Sequence, residues 1–255
     1  MILTMDPAVA DGYSSRSQIA RVITESWGSV HLYCAACPSE CLSRMRTNSP
    51  ASDYVCCNCG ARYQLKSASR WNDRRVVDAG YSAMIKAIQD GKTPNLVFLQ
   101  YDTNWLVVNL LLVPALFFVP SIIEKRKPLG QEARRAGWIG CNILLSAIPP
   151  EGRIRVVHNR IITPAGSVRE NYDATKPLSS LKLEARGWTL EVLSAARSIG
   201  TVEFSLEEVY AREPRFRELY PANRFIRPKI RQQLQVLRNI GYIEFLGGGR
   251  YRFLR

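Results

Sequence analysis

Histidine is nearly absent from this chain: His31 and His158 are the only two in 255 residues. They are isolated from each other, and neither is assigned a role. Acidic residues are also scarce, with 22 Asp and Glu against 35 Lys and Arg, for a formal net charge of +13. That imbalance points to a polyanionic partner, nucleic acid first, because Lys and Arg at phosphates release counterions and so drive binding. A basic surface without a partner is the alternative. No long apolar run is uninterrupted. The stretch Trp105–Ile123 contains Asn109, Pro114, Pro120 and Ser121, and reads as a buried strand followed by a short helix rather than a membrane span. Met1–Met5 is too short for the apolar region of a signal peptide, and Asp6-Pro7 interrupts it. These absences lead to the expectation of a soluble, cytoplasmic protein whose seven cysteines stay reduced.

Those cysteines are clustered. Cys34-Ala-Ala-Cys37 and Cys56-Cys-Asn-Cys59, the second followed by Gly60, have the spacing of a closed four-thiolate zinc site. Cys57 is an offset neighbour of the second pair, and Cys41 is a less well-spaced alternative. Four thiolates leave no open coordination position, so zinc here is structural. Cys141, in a strand-like segment, reads as a small core residue.

A second pattern overlaps the first. Residues 53–56 and 62–67 read as two short strands joined by the cysteine knuckle, and alternation puts Gln64 and Lys66 on one face with Leu65 on the other. Asp53 on the partner strand can approach that pair. Such an arrangement suits metal-assisted phosphodiester chemistry: an acid holds a divalent cation on the phosphate, and an ammonium beside it orients water and balances developing charge. The triplet alone is weak, and its weight comes from the flanking strands and the preceding helix. In that helix, from Ser15, Ile19, Val22, Ile23 and Trp27 recur at helical spacing with Gly28 just beyond its end. Glu25 reads first as a solvated surface acid and second as a group beside the metal.

The remaining order is that of a mixed α/β layer structure. Residues 1–13 are expected as a loose leader and 76–90 as a helix with Ala79, Ala83, Met84 and Ile88 towards the core. Strands follow at 95–101, 105–113, 140–145 and 153–157. Between them, Glu124-Lys-Arg-Lys-Pro and Ala133-Arg-Arg-Ala-Gly-Trp138 form a basic, aromatic segment suited to DNA, with Arg134, Arg135 and Trp138 its candidates. Trp138 as a core filler is the plainer alternative. Residues 160–180 lack periodicity and read as a linker, which divides the chain into 1–180 and 181–255.

The second part has the order of a winged helix-turn-helix. A helix at 188–197 and a strand at 202–204 precede a capping box at Ser205-Leu-Glu-Glu208. A third helix then has Pro228 in its first turn and Ile230, Leu234 and Leu237 as its buried line. Two strands about Gly-Gly-Gly complete a wing. From Pro221 onward the basic residues Arg224, Arg227, Lys229, Arg231, Arg238, Arg250, Arg252 and Arg255 stand against Glu244 alone. Arg227, Lys229, Arg231 and Gln232 suit a helix in the major groove, with Arg250 and Arg252 reaching the backbone from the wing. A protein-docking role for the module is the alternative.

Several runs together carry a resemblance over nearly the whole chain: Cys34-x-x-Cys37, Asp53-x-x-Cys56-x-x-Cys59, Leu65-Lys66-Ser67, Ala133-Arg-Arg-Ala-Gly-Trp-Ile-Gly-Cys-Asn-Ile143, Arg186-Gly-Trp188 and Lys229-Ile-Arg-Gln-Gln-Leu-Gln-Val-Leu-Arg238. The sequence resembles the DpnI family of restriction endonucleases. The resemblance implies a PD-(D/E)xK mixed-sheet nuclease core with a zinc-binding insertion and a C-terminal winged helix. It implies Mg²⁺-dependent cutting of duplex DNA at GATC carrying N6-methyladenine, by a monomer. On it, Asp53, Gln64 and Lys66 are catalytic, Asp53 and Gln64 hold Mg²⁺, and Cys34, Cys37, Cys56 and Cys59 hold Zn²⁺. Both domains are expected to bind the methylated site, with Trp138 against the adenine methyl groups.

One departure stands out, because the family has Glu where this chain has Gln64. An amide keeps a carbonyl ligand but lacks the charge a hard dication prefers, so weaker Mg²⁺ binding or a turn to Mn²⁺ is expected. Glu25 could then supply a carboxylate through water. A catalytically silent reader of methylated DNA, acting as a regulator or sensor, is the competing reading. A zinc-ribbon and winged-helix transcription factor is a third, weakened by Asp53 and Lys66.

Overall fold

The computed structural model describes residues 1–46 and 52–254. Helix α1 (Arg16–His31) buries Ile23, Thr24, Trp27 and Gly28 along one side. Gly28 therefore lies inside the helix, not beyond its end. A Cβ at this position would fall 2.5 Å from the Tyr54 hydroxyl, which donates to the Glu25 carbonyl at 2.8 Å. The first residues are not a loose leader: Met5 is buried, Thr4 bridges to Leu106, and the Trp27 indole N–H donates to the Ile2 carbonyl at 2.8 Å.

Strands β1 (Ser43–Arg44), β2 (Tyr54–Val55) and β3 (Arg62–Ala68) surround the cysteines. Then come β4 (Arg75–Gly80), α2 (Tyr81–Gln89), β5 (Asn95–Tyr101), β6 (Val107–Val113), β7 (Ile123–Lys125), β8 (Gly140–Leu144), β9 (Ile154–His158) and β10 (Ile161–Ile162). Seven of these form one sheet in the order β1-β2-β3-β5-β6-β9-β10. Its β3–β5 pair is parallel, and its other neighbours are antiparallel. β5 is apolar on both faces, as a central strand must be. Val97 and Leu99 join the core around α1 and Cys34, whereas Leu96 and Phe98 join the core beneath the second sheet.

That second sheet has the order β4-β8-β7 and is antiparallel. It corrects the helix expected over 76–90, which begins only at Tyr81. Val76 and Asp78 are buried in alternation because β8 supplies a ladder partner, and such a distant partner outweighs local helical spacing. Met84 and Ile88 are buried as expected, whereas Ala79 and Ala83 are exposed.

Residues 160–180 are not an irregular linker. They hold β10, helix α3 (Ala165–Asp173) and a 3-10 turn at Lys176–Ser180, with Val168, Thr175 and Leu178 buried. Pro164 caps α3 and Pro177 sits in the first turn of the next piece, positions where proline starts helical turns instead of breaking them.

The C-terminal part comprises α4 (Leu183–Arg197), β11 (Glu203–Ser205), α5 (Leu206–Tyr210), α6 (Glu213–Leu219), α7 (Ile226–Asn239), β12 (Ile243–Gly247) and β13 (Arg250–Phe253). Both halves of the Ser205–Glu208 capping box are formed. Ile230, Leu234 and Leu237 are buried along α7. The β12–β13 wing turns through Gly247, Gly248 and Gly249, all at positive φ, where residues with a Cβ are strained. α6 has no counterpart in the sequence-based expectation. Among the described residues no helix is long and apolar enough to cross a membrane.

Candidate active site and nucleic-acid interface

The knuckle is built from two turns that approach from separate segments. The sulfurs of Cys34, Cys37, Cys56 and Cys59 lie within 4.8 Å of one another and could hold a metal ion. Cys34 and Cys59 are 3.5 Å apart, and Cys37 and Cys56 are 3.6 Å apart. A tetrahedral four-thiolate zinc site asks for about 3.8 Å between sulfurs. Burial pushes the Cys34 thiol up to about 12. Burial also acts to raise Cys56, but the backbone N–H groups of Cys59 and Asn58 outweigh it and bring the thiol to about 6. Cys41 and Cys57 are exposed and outside the cluster, and Cys57 instead meets the Ser43 hydroxyl.

Immediately beside the knuckle is a polar cleft of about 400 Å³, lined by Glu25, Arg44, Asp53, Gln64, Lys66 and their neighbours. β2 begins only at Tyr54, which pairs with Tyr63, so it covers β3 no further than that residue, and Asp53, just before β2, accepts the next outward Leu65 N–H at 2.7 Å. α1 is tied to the same strand through the Thr24 and Ser67 hydroxyls, 3.1 Å apart. Asp53, Gln64 and Lys66 thus share one cleft. Glu25 shares it too, and the solvated surface acid expected first is not what the structure holds. Its side chain is only 16% exposed and is ion-paired with Arg44, with Arg21 at 4.0 Å. Sequence reasoning missed Asp78 altogether. Its buried carboxylate meets the Lys66 ammonium at 2.5 Å. The only sequence signal was an acid alternating with Val76, and it was obscured by reading the segment as helix.

The basic segments divide. Arg134 and Arg135 are exposed on the loop joining β7 and β8. Trp138 closes that loop, accepting the Leu129 N–H at 2.9 Å through its carbonyl. Its half-buried indole lies against Gly80 and Gly140, which face each other across the β4–β8 ladder. A Cβ on Gly140 would come within 2.9 Å of the ring, so the glycine is what seats it.

On α7, Arg231 and Gln232 are exposed, as is Arg224 just before it. Arg227 is instead ion-paired to Glu213 at 2.8 Å and stacked over Tyr210, and Lys229 is half-buried with its ammonium over Trp188. Arg250 and Arg252 both reach Glu203, at 3.1 and 2.7 Å, and Arg252 also reaches Glu244. The wing is therefore less positively charged than its own stretch of sequence suggests, because β11 brings an acid from outside it. Arg255 lies outside the described residues.

A sheet-based core with a polar cleft, joined to a winged helix-turn-helix, defines a protein built to act on DNA. The Dam-replacing family (DpnI) model matches residues 1–181, and the Dam-replacing HTH domain model matches residues 184–253. The chain belongs to this family, which places it among DNA-binding, restriction-type nucleases.

Proposed function

We propose that this protein is a Type II restriction endonuclease that hydrolyses duplex DNA at GATC sites carrying N6-methyladenine, with Mg²⁺ as the catalytic ion. The observation that carries the reading is the meeting of Asp53, Gln64 and Lys66 in one cleft of a chain that belongs to this family. A parallel β3–β5 pair within a mixed sheet, with the cleft at the edge of β3, supports a PD-(D/E)xK core. Residues 1–180 form its cutting part and 181–255 its winged-helix part. The enzyme acts as a monomer in the cytoplasm, and structural Zn²⁺ sits on Cys34, Cys37, Cys56 and Cys59.

The cleft's donors suit a hard cation: the Asp53 carboxylate, the Gln64 amide carbonyl and, nearby, the Glu25 carboxylate are all oxygen groups. Mg²⁺ bound there would polarise the scissile phosphate and acidify an attacking water. Mn²⁺ is the alternative ion. Lys66 places positive charge where the phosphoryl oxygens gain negative charge. Arg134 and Arg135 meet the backbone, and Trp138 offers an apolar surface to the adenine methyl group. From the C-terminal part, Arg224, Arg231 and Gln232 are free of acidic partners among the described residues. Arg227, Arg250 and Arg252 must exchange a carboxylate for a phosphate, and Lys229 must leave Trp188.

One plasmid, prepared with and without adenine methylation at GATC and incubated with the protein and Mg²⁺, tests this reading. Fragments from the methylated plasmid alone are expected. Gln64 favours a second reading, a catalytically silent reader of methylated DNA. Methyl-dependent binding without cutting, in Mn²⁺ as in Mg²⁺, would establish that alternative instead.

A further inference from the structure

Asp78 belongs to the second sheet, yet its carboxylate reaches a strand of the first. Its side chain is 1% exposed, and the Lys66 ammonium stands 2.5 Å from Oδ1. Neither carboxylate oxygen receives a directed hydrogen bond from any described residue. A buried acid kept for the fold is ordinarily met by backbone amides or hydroxyls, because a desolvated charge needs every donor it can find. Here Lys66 is its only ion-pair partner among the described residues. Cys141, opposite Asp78 in the ladder, turns its thiol to the Ala79 carbonyl at 3.3 Å. Burial, and then the Asp78 charge, push that thiol up to about 11, so it remains neutral.

Lys66 has the complementary need. A lysine is a point charge on a flexible four-carbon stem, and unlike arginine it brings no planar fork to fix its direction. Its side chain is 27% exposed, and it lines the cleft that holds Asp53 and Gln64. Asp78 holds it from behind. The strand that carries Asp78 ends at Gly80, where Trp138 is seated, so the lysine's anchor and the tryptophan's seat share one rigid element.

We propose that Asp78 is the positioning residue of the cleft: it fixes the Lys66 ammonium so that the lysine meets the scissile phosphate already oriented. The proposal rests on reading the cleft as a nuclease site. Asp78→Asn keeps the side chain's shape and removes its charge, and Asp78→Glu keeps the charge. In Asp78→Asn the single-turnover rate on methylated GATC duplex should fall about 10- to 100-fold, with KM and duplex affinity in Ca²⁺ within about threefold of the parent. The melting temperature and zinc content should stay close to the parent's. Asp78→Glu should regain part of the rate.

Lysine-selective ¹⁵N NMR reads the anchor without catalysis: the Lys66 ammonium should give a slowly exchanging signal in the parent and in Asp78→Glu, and lose it in Asp78→Asn. An equally ordered ammonium in Asp78→Asn overturns the proposal. So does a loss confined to duplex affinity with kcat unchanged. If the parent cuts no DNA, the nuclease reading fails, while the NMR comparison still decides whether Asp78 anchors Lys66.

Discussion

Asp78 and Glu191 are both buried carboxylates, one in each half of the molecule, and their surroundings differ. Glu191, on α4, is 3% exposed; one oxygen accepts the Ser121 hydroxyl at 2.8 Å and the other accepts Arg215 at 2.8 Å. Those bonds tie α4 to the segment leading into β7 and to α6, and they leave neither oxygen bare. Asp78 has, among the described residues, only the ammonium of Lys66, a residue that lines the cleft. A buried charge whose donors are all structural holds elements together. One compensated by a cleft residue alone couples the fold to the cleft.

The largest expected effect falls on the ammonium itself. Lys66→Ala should lower cutting of methylated plasmid by about a thousandfold or more while duplex affinity in Ca²⁺ is kept. It also strands the Asp78 charge, at a cost of on the order of 2 kcal/mol, less than for a fully buried pair because Lys66 is partly exposed. Adding Asp78→Asn to Lys66→Ala should restore the melting temperature without restoring cutting. A double variant that melts no higher than Lys66→Ala would break the contrast with Glu191.

Stripping the cysteine cluster with a chelator should abolish cutting in step with released metal, and added Zn²⁺ should restore it. Asp53 and Cys56 flank the two-residue strand β2, so loss of the knuckle should loosen the cleft. Full activity of a zinc-free protein, measured by metal analysis, would separate the two sites. At Glu191 the effect should appear in stability alone. Glu191→Gln should cost about 1 kcal/mol in denaturant unfolding, because the Arg215 it leaves unpaired is half-exposed, with the cutting rate per folded molecule unchanged.

Smaller effects test the cleft's charge and the helix-turn-helix surface. Gln64→Glu should lower the Mg²⁺ concentration for half-maximal cutting by about tenfold, read from a metal titration; an unchanged midpoint would mean that the amide is not limiting. Hydrogen bonds from Arg227 and then Arg217 hold the Glu213 carboxyl below its ordinary 4.5. A depressed folded value means that the contribution is present above the unfolded value and is lost as pH falls through the folded one. Glu213→Gln should therefore lower the melting temperature slightly at neutral pH, and the difference should close as pH falls well below 4.5.

Some of this was written locally. The two Cys-x-x-Cys pairs, the Ser205 capping box and the Ile230, Leu234 and Leu237 line depend on residues a few positions apart, and spacing alone specifies them. Gln64 and Lys66 on alternate positions of one strand belong to the same class, as does the wing with its three glycines. The strand β4 (Arg75–Gly80) was not legible, because its identity depends on β8, whose residues pair with it from 60 or more positions away. Nor was the neutralisation of Arg250 and Arg252, whose acid comes from β11.

By itself, then, the sequence determined which four cysteines cluster in the knuckle, the order of the helix-turn-helix and the side-chain types available to the cleft. Only tertiary structure decided that Glu25 enters that cleft and that Asp78 stands behind Lys66. The reason is physical: spacing sets which side chains share a face, whereas the compensation of a buried charge depends on groups that only the packing of separate sheets and helices brings together.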